Sequence, residues 1–121
     1  MSRFSVNEQD VKALNLPGRD WKMLIDHKMG CRNICFGIAE FPPYEKPDAH
    51  VHAAEEEIIY ILSGKGIMEM DGEIINLLPG VAVYMPPGKE HRVENTGDET
   101  LKLITLFSPP VVPGSYDPKE A

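Results

Sequence analysis

Short apolar runs broken by turn signals dominate this chain and leave room for little except an all-β fold. Residues 34–41, 58–62, 66–70, 73–77, 81–85 and 101–107 are each rich in β-branched or large apolar residues, the composition of strands. Turn signals bound the runs: Pro42-Pro43, Ser63-Gly64, Asp71-Gly72, Leu78-Pro79-Gly80 and Pro86-Pro87-Gly88 close the first five, and Asn95 to Glu99 precedes the sixth. An Asp-Gly pair between two β runs is a strong hairpin signal, because the tight turn needs two residues at positive φ. With Trp21 to Lys28, residues 49–52 and His91 to Glu94, about nine short strands are expected. No strand–helix alternation suggests a parallel sheet. An N-terminal arm with one short helical turn over Asn7 to Leu14, capped by Asn7, completes the expectation.

In Trp21 to Lys28, alternation puts Trp21, Met23, Ile25 and His27 on the inward, more apolar face. Leu101, Leu103, Thr105 and Phe107 line the inside of the last strand, with Lys102 facing solvent. The tail from Ser108 to Pro118 is too rich in proline for an inner strand. Its apolar residues suit a segment lying over a surface or a partner chain.

The chemistry concentrates in His50-Val51-His52, Glu57 and His91. Residues two apart in a strand share a face, with Cα atoms about 7 Å apart. Two imidazoles so placed reach one ion with metal–nitrogen bonds of about 2.0–2.1 Å. Glu57 lies at an odd offset from His52, so a turn at Ala53 to Glu56 must return it to the same face. Singly, each of these residues reads as structural. Together, with Pro and Gly at regular offsets, they read as a metal site.

Those offsets resemble the two-part signature of the cupin superfamily. Its second half runs Gly, five residues, Pro, one residue, Gly, two residues, His, three residues, Asn; Gly80, Pro86, Gly88, His91 and Asn95 match. In the first half, His50, His52, Glu57 and Gly64 match, and the leading glycine position falls on Tyr44. Pro42-Pro43 supplies a turn there by another route. Only Glu57, not Glu55 or Glu56, keeps six residues before Gly64. The resemblance implies one cupin barrel of the double-stranded β-helix or jelly-roll type. Residues 1–121 then form a single domain with its core barrel over residues 21–107, a short N-terminal arm and a Pro-rich C-terminal tail. It also implies one divalent metal held by His50, His52, Glu57 and His91, and a homodimer.

Mixed imidazole and carboxylate ligation suits Fe, Mn, Zn, Ni, Co or Cu. The resemblance points to a metal-dependent enzyme on a small organic substrate, with dioxygenase-type chemistry foremost. Isomerase, decarboxylase and lyase chemistry are other options. The competing reading is a non-catalytic small-molecule binding or sensing domain. A storage or structural role fits the intact ligand set less well. The expected wall is apolar: Met23, Ile25, Met68, Met70, Val83, Met85, Leu103 and Phe107. Acid–base candidates are Tyr60, Tyr84, His27 and Arg92, and spacing selects none of them.

A net charge of −7 argues against a nucleic-acid partner, which demands a basic face. No apolar run approaches the roughly 18 residues of a membrane span. The first ten residues lack the apolar stretch of a signal peptide, so a cytoplasmic location is expected. Cys31 and Cys35, the two cysteines, are spaced unlike a C-x-x-C pair and read as reduced thiols in or beside the core.

Overall fold

In the computed structural model, which describes residues 2–111, nine strands form two antiparallel sheets. They are β1 (Leu14–Leu16), β2 (Arg19–Ile25), β3 (Cys35–Phe41), β4 (Glu56–Ser63), β5 (Gly66–Met70), β6 (Glu73–Leu77), β7 (Ala82–Met85), β8 (His91–Asn95) and β9 (Leu101–Ser108). One sheet has the order β1-β2-β3-β9-β4-β7 and the other β6-β5-β8. Hydrogen bonds do not close the two sheets into one, so the jelly roll is two facing layers rather than a continuous barrel. Among the described residues no helix is long and apolar enough to cross a membrane.

The period-two pattern sets which faces meet. Glu57, Ile59 and Ile61 of β4 are buried while Glu56, Ile58 and Tyr60 are exposed. In β9, Leu101, Leu103, Thr105 and Phe107 are all buried, as the alternation predicts. Both strands therefore turn their inner faces toward Met68 of β5 and Val93 of β8, and one core fills the gap. Trp21 packs against Phe107 with ring centroids 5.8 Å apart. The β5–β6 hairpin forms as Asp71-Gly72 predicts, with both residues at positive φ (53° and 76°).

Three expectations change. The helical turn shrinks to a 3-10 helix over Glu8–Asp10, capped by the Asn7 side chain accepting from Gln9 N at 2.9 Å. Leu14–Leu16, read as the end of that helix, is instead an edge strand turning back on β2 through Pro17-Gly18. Residues 49–52 form no strand beyond a single bridge, His50 to His91. Pro47 lacks a donor on one side of that bridge. On the other, Gly88 of the Pro-Pro-Gly turn donates to His52 O at 2.8 Å and ends the pairing.

The first inner strand also ends early, at Ile25, with a register shift between Met23 and Ile25. A 3-10 helix over His27–Met29 follows, capped by the Asp26 side chain. Cys31 and Cys35 are both free thiols. Of the C-terminal tail, Val111 is buried against the core, and residues 112–118 lie outside the described residues.

Candidate metal centre

Three separate pieces of chain bring the histidines and the glutamate to one cavity. His91 opens β8 directly after the Pro86-Pro87-Gly88 turn and is buried. His50 is its antiparallel neighbour: each backbone N–H donates to the other's carbonyl at 2.9 Å. His52 is placed two residues on by its carbonyl bond to Gly88. Glu57 reaches the cavity from the opposite sheet, on β4 between Met85 of β7 and Phe107 of β9.

The imidazole centroids lie 4.6 Å (His50–His91), 5.5 Å (His50–His52) and 5.6 Å (His52–His91) apart. One ring nitrogen from each falls within 4.8 Å of the others. Glu57 Oε1 stands 3.5 Å from His52 Nε2 and 3.6 Å from His91 Nε2. Ligands on a shared ion, with bonds near 2.1 Å at tetrahedral or octahedral angles, are about 3.0–3.4 Å apart. A contraction of a few tenths of an ångström would bring Glu57 Oε1 to that spacing from both imidazole nitrogens. His91 Nδ1 lies 3.2 Å from Lys89 O. Donation to that carbonyl fixes the tautomer and leaves Nε2 with its lone pair facing the cavity. Glu57 Oε1 is buried and accepts no hydrogen bond among the described residues.

The ionisation states follow from burial and mutual repulsion. Burial, then the charges of His91 and Arg19, bring His50 down to about 3. The same causes bring His52 to about 4. Burial also lowers His91. Burial pushes Glu57 up to about 8 against the opposing pull of Arg19. Near neutral pH the imidazoles are therefore unprotonated and ready to donate lone pairs. They face a buried carboxyl whose ionised form needs a cation nearby. This donor set, with its orphaned oxygen, fits a divalent transition metal.

The cavity has a volume of about 170 Å³. Met68, Met85, Leu103 and Phe107 line it as expected. Met23, Ile25, Met70 and Val83 do not. Met23 and Met70 pack against the core, Val83 is inside it, and Ile25 lies past the register shift that follows Met23. In their place stand Arg19, Trp21, Phe41, Ile59 and Val93, with Thr105. Of these, Arg19 was not expected: it shares a face with Trp21 one pleat away, but it precedes the apolar run that marks the strand.

The four acid–base candidates all lie outside this cavity. Tyr60 and Tyr84 occupy outward positions of β4 and β7, and the Tyr84 hydroxyl donates to Glu56 Oε1 at 2.7 Å. His27 sits in the 3-10 helix past the end of β2, exposed and 3.9 Å from Asp26. Arg92 points away from the centre on β8, its Nη1 3.7 Å from Glu69. Glu55 approaches His52 Nδ1 at 3.8 Å from the far side of the ring.

Facing antiparallel sheets with three histidines and a glutamate converging between them define a protein of the jelly-roll class. The chain belongs to the cupin family: its residues 37–107 match the cupin domain. It is 39% identical over 69 residues to an uncharacterized protein of Methanocaldococcus jannaschii, covering 57% of this chain and 55% of that one. It is 31% identical over 72 residues to an oxalate-binding protein of Thermotoga maritima, 60% of each chain. The chain thus spans little more than half the length of these relatives. The polyketide cyclase RemF from Streptomyces resistomycificus superposes with a TM-score of 0.74 at 26% identity, over 95% of this chain and 89% of that one.

Proposed function

We propose that this chain is a metal-dependent enzyme that holds one divalent transition metal through His50, His52, Glu57 and His91. It acts on a small organic molecule in the cavity beside them, with dioxygenase-type chemistry the first to be tested. The observation that carries the reading is the buried, unpartnered Glu57 oxygen facing two imidazole nitrogens at 3.5 and 3.6 Å. A carboxylate in that position is stabilised only by a cation. The bound ion would supply Lewis acidity and open coordination positions for a substrate. The chain's own residues do the rest. Lys89 O orients His91, Glu57 gives up its proton as the ion enters, and Phe41, Leu103 and Phe107 keep bulk water from the site.

One observation favours the second reading, a binding or sensing domain without turnover. Outside the ligand set, Arg19 and Asp48 are the charged side chains on the cavity wall, and Tyr60, Tyr84, His27 and Arg92 lie elsewhere. The relatives fit either reading, since one is named for binding oxalate and another for cyclising polyketides.

Metal analysis of the purified protein, then oxygen-uptake and product screens on iron- and manganese-loaded samples, separates the two. Turnover supports the enzyme. Ligand-dependent thermal shifts with no product from any metal form support the binder. His91→Ala is expected to lower metal affinity by more than about 100-fold, beyond the roughly 10–100-fold that loss of an outer partner costs, while keeping the β circular dichroism. Full stoichiometric metal in that variant would remove His91 from the ligand set.

A further inference from the structure

Arg19 brings a permanent positive charge to the cavity that holds the histidines. It opens β2, one pleat ahead of Trp21, and is half-buried. Its Nη1 donates to Pro17 O at 3.1 Å, which ties the guanidinium to its own hairpin. No other hydrogen bond and no ion pair engages it among the described residues. A guanidinium carries five N–H donors in a planar fork, so most of its donor capacity is uncommitted. Its field lowers the pKa of His50, His52, His91 and Glu57 alike, which places it electrically within reach of the whole centre.

Thr105 contributes a second polar group deeper in the same wall. It points inward from β9, opposite Gly37 and Ile59, and is 5% exposed. Its Oγ1 is buried and makes no hydrogen bond among the described residues. A hydroxyl left bare on the inner wall of a cavity is satisfied only by what enters that cavity.

Charge decides the class of ligand. With Glu57 committed to a divalent ion, the centre carries one net positive charge, and Arg19 adds another. Asp48 is exposed at the rim and makes no ion pair with Arg19. A neutral ligand leaves both positive charges facing each other in a partly enclosed, low-dielectric space. A carboxylate offers two oxygens to the guanidinium fork and neutralises one charge. At about 170 Å³ the cavity falls below the roughly 300–1,000 Å³ of pockets for drug-sized ligands, so the ligand is small.

We propose that this cavity is a carboxylate site: Arg19 pairs with the carboxylate of a small organic acid whose remaining polar atoms lie between the histidines and the Thr105 hydroxyl. The proposal deepens the metal reading, but Arg19 and Thr105 are independent of the ion, so the two can fail separately.

The test is calorimetric titration of zinc-loaded protein with lactate and malonate, against the uncharged isosteres lactamide and malonamide. Each acid is expected to bind at least tenfold tighter than its amide. Arg19→Gln is expected to abolish that preference while metal stoichiometry stays at that of the parent. Arg19→Lys should retain part of it, which separates charge loss from misfolding. Thr105→Val should weaken both acids several-fold. Equal binding of acid and amide would overturn the proposal. So would an acid preference that survives Arg19→Gln, or inorganic phosphate binding tighter than either acid. An Arg19-dependent acid preference in a protein that takes up no metal would sustain the carboxylate site and sink the metal reading.

Discussion

Tyr44 takes φ 61°, in the left-handed region that favours glycine, at the position where the cupin signature carries one. The turn geometry is thus kept although the residue that eases it is missing. Tyr44 N donates to Gly97 O at 3.2 Å, which helps hold the conformation, while its side chain is exposed. Left-handed backbone costs an L-residue about 1–2 kcal/mol, and glycine avoids this at a comparable entropic cost. Tyr44→Gly is therefore expected to leave stability within about 1 kcal/mol of the parent. Tyr44→Val, β-branched and worse at positive φ, should lose about 1–2 kcal/mol in urea unfolding. Equal stability of the two variants would show that the turn does not select for backbone freedom. At this scale the sequence was most informative about the residues on the signature. His50, His52, Glu57 and His91 do meet at one cavity. Arg19 was missed because a charged residue ahead of an apolar run carries no local mark of facing inward. Its place in β2 comes from pairing with β1, where Arg19 lies opposite Leu16.

Strands announced by their own turns were legible almost to the residue: β5 and β6 run over Gly66–Met70 and Glu73–Leu77, as the Asp-Gly turn requires. Strands defined by a partner were not. Leu14–Leu16 becomes a strand because β2 offers it an edge, and residues 49–52 fail to become one because Pro47 on one side and the Pro86-Pro87-Gly88 turn on the other limit the pairing to one bridge. What locks the Pro-rich connection in place is Asn95, fully buried at the end of β8. Its amide nitrogen donates toward Phe41 O and Pro42 O at 3.0 Å and Glu99 O at 2.8 Å, and its Oδ1 accepts from Gly97 N at 2.9 Å. One side chain thereby joins the end of β3, the connection after it and the β8–β9 turn. Asn95→Asp keeps the shape and turns a donor into a charge facing carbonyl oxygens. It is expected to cost about 3 kcal/mol or more. A loss below about 1 kcal/mol in denaturant unfolding would show that the clamp carries little of the fold's stability.

For the whole molecule, two properties rest on surfaces rather than on single groups. The outer face of the six-stranded sheet exposes Ile58 (45%), Tyr60 (43%), Leu62 (40%) and Tyr84 (51%) on the adjacent strands β4 and β7. A continuous apolar patch of this kind is an association surface, and we propose that it pairs two copies. Sedimentation should give twice 13.5 kDa for the parent. Tyr60→Glu should give a monomer, and an unchanged dimer in that variant would place the contact elsewhere. The second property is the pH response of the metal-free protein. His50 and His52 are held near 3 and 4 in the fold, below their unfolded value of 6.5. The unfolded chain therefore binds more protons below about 6.5, and stability rises as pH climbs to that point. Glu57 is held near 8 against 4.5. Between those values the folded chain keeps a proton that the unfolded chain has lost, so this group alone lowers stability as pH rises, until about 8. Below 6.5 two or more histidines outweigh one carboxyl. Above it the carboxyl acts alone. Metal-free protein should thus be most stable near pH 6.5 and lose roughly 1.4 kcal/mol per pH unit from there toward 8. A bound divalent ion takes Glu57 as carboxylate, so the loaded protein should show no such decline, and metal titrated at pH 7 should release about one proton, read from calorimetry in two buffers of different ionisation enthalpy. Parallel declines with and without metal would detach Glu57 from the centre.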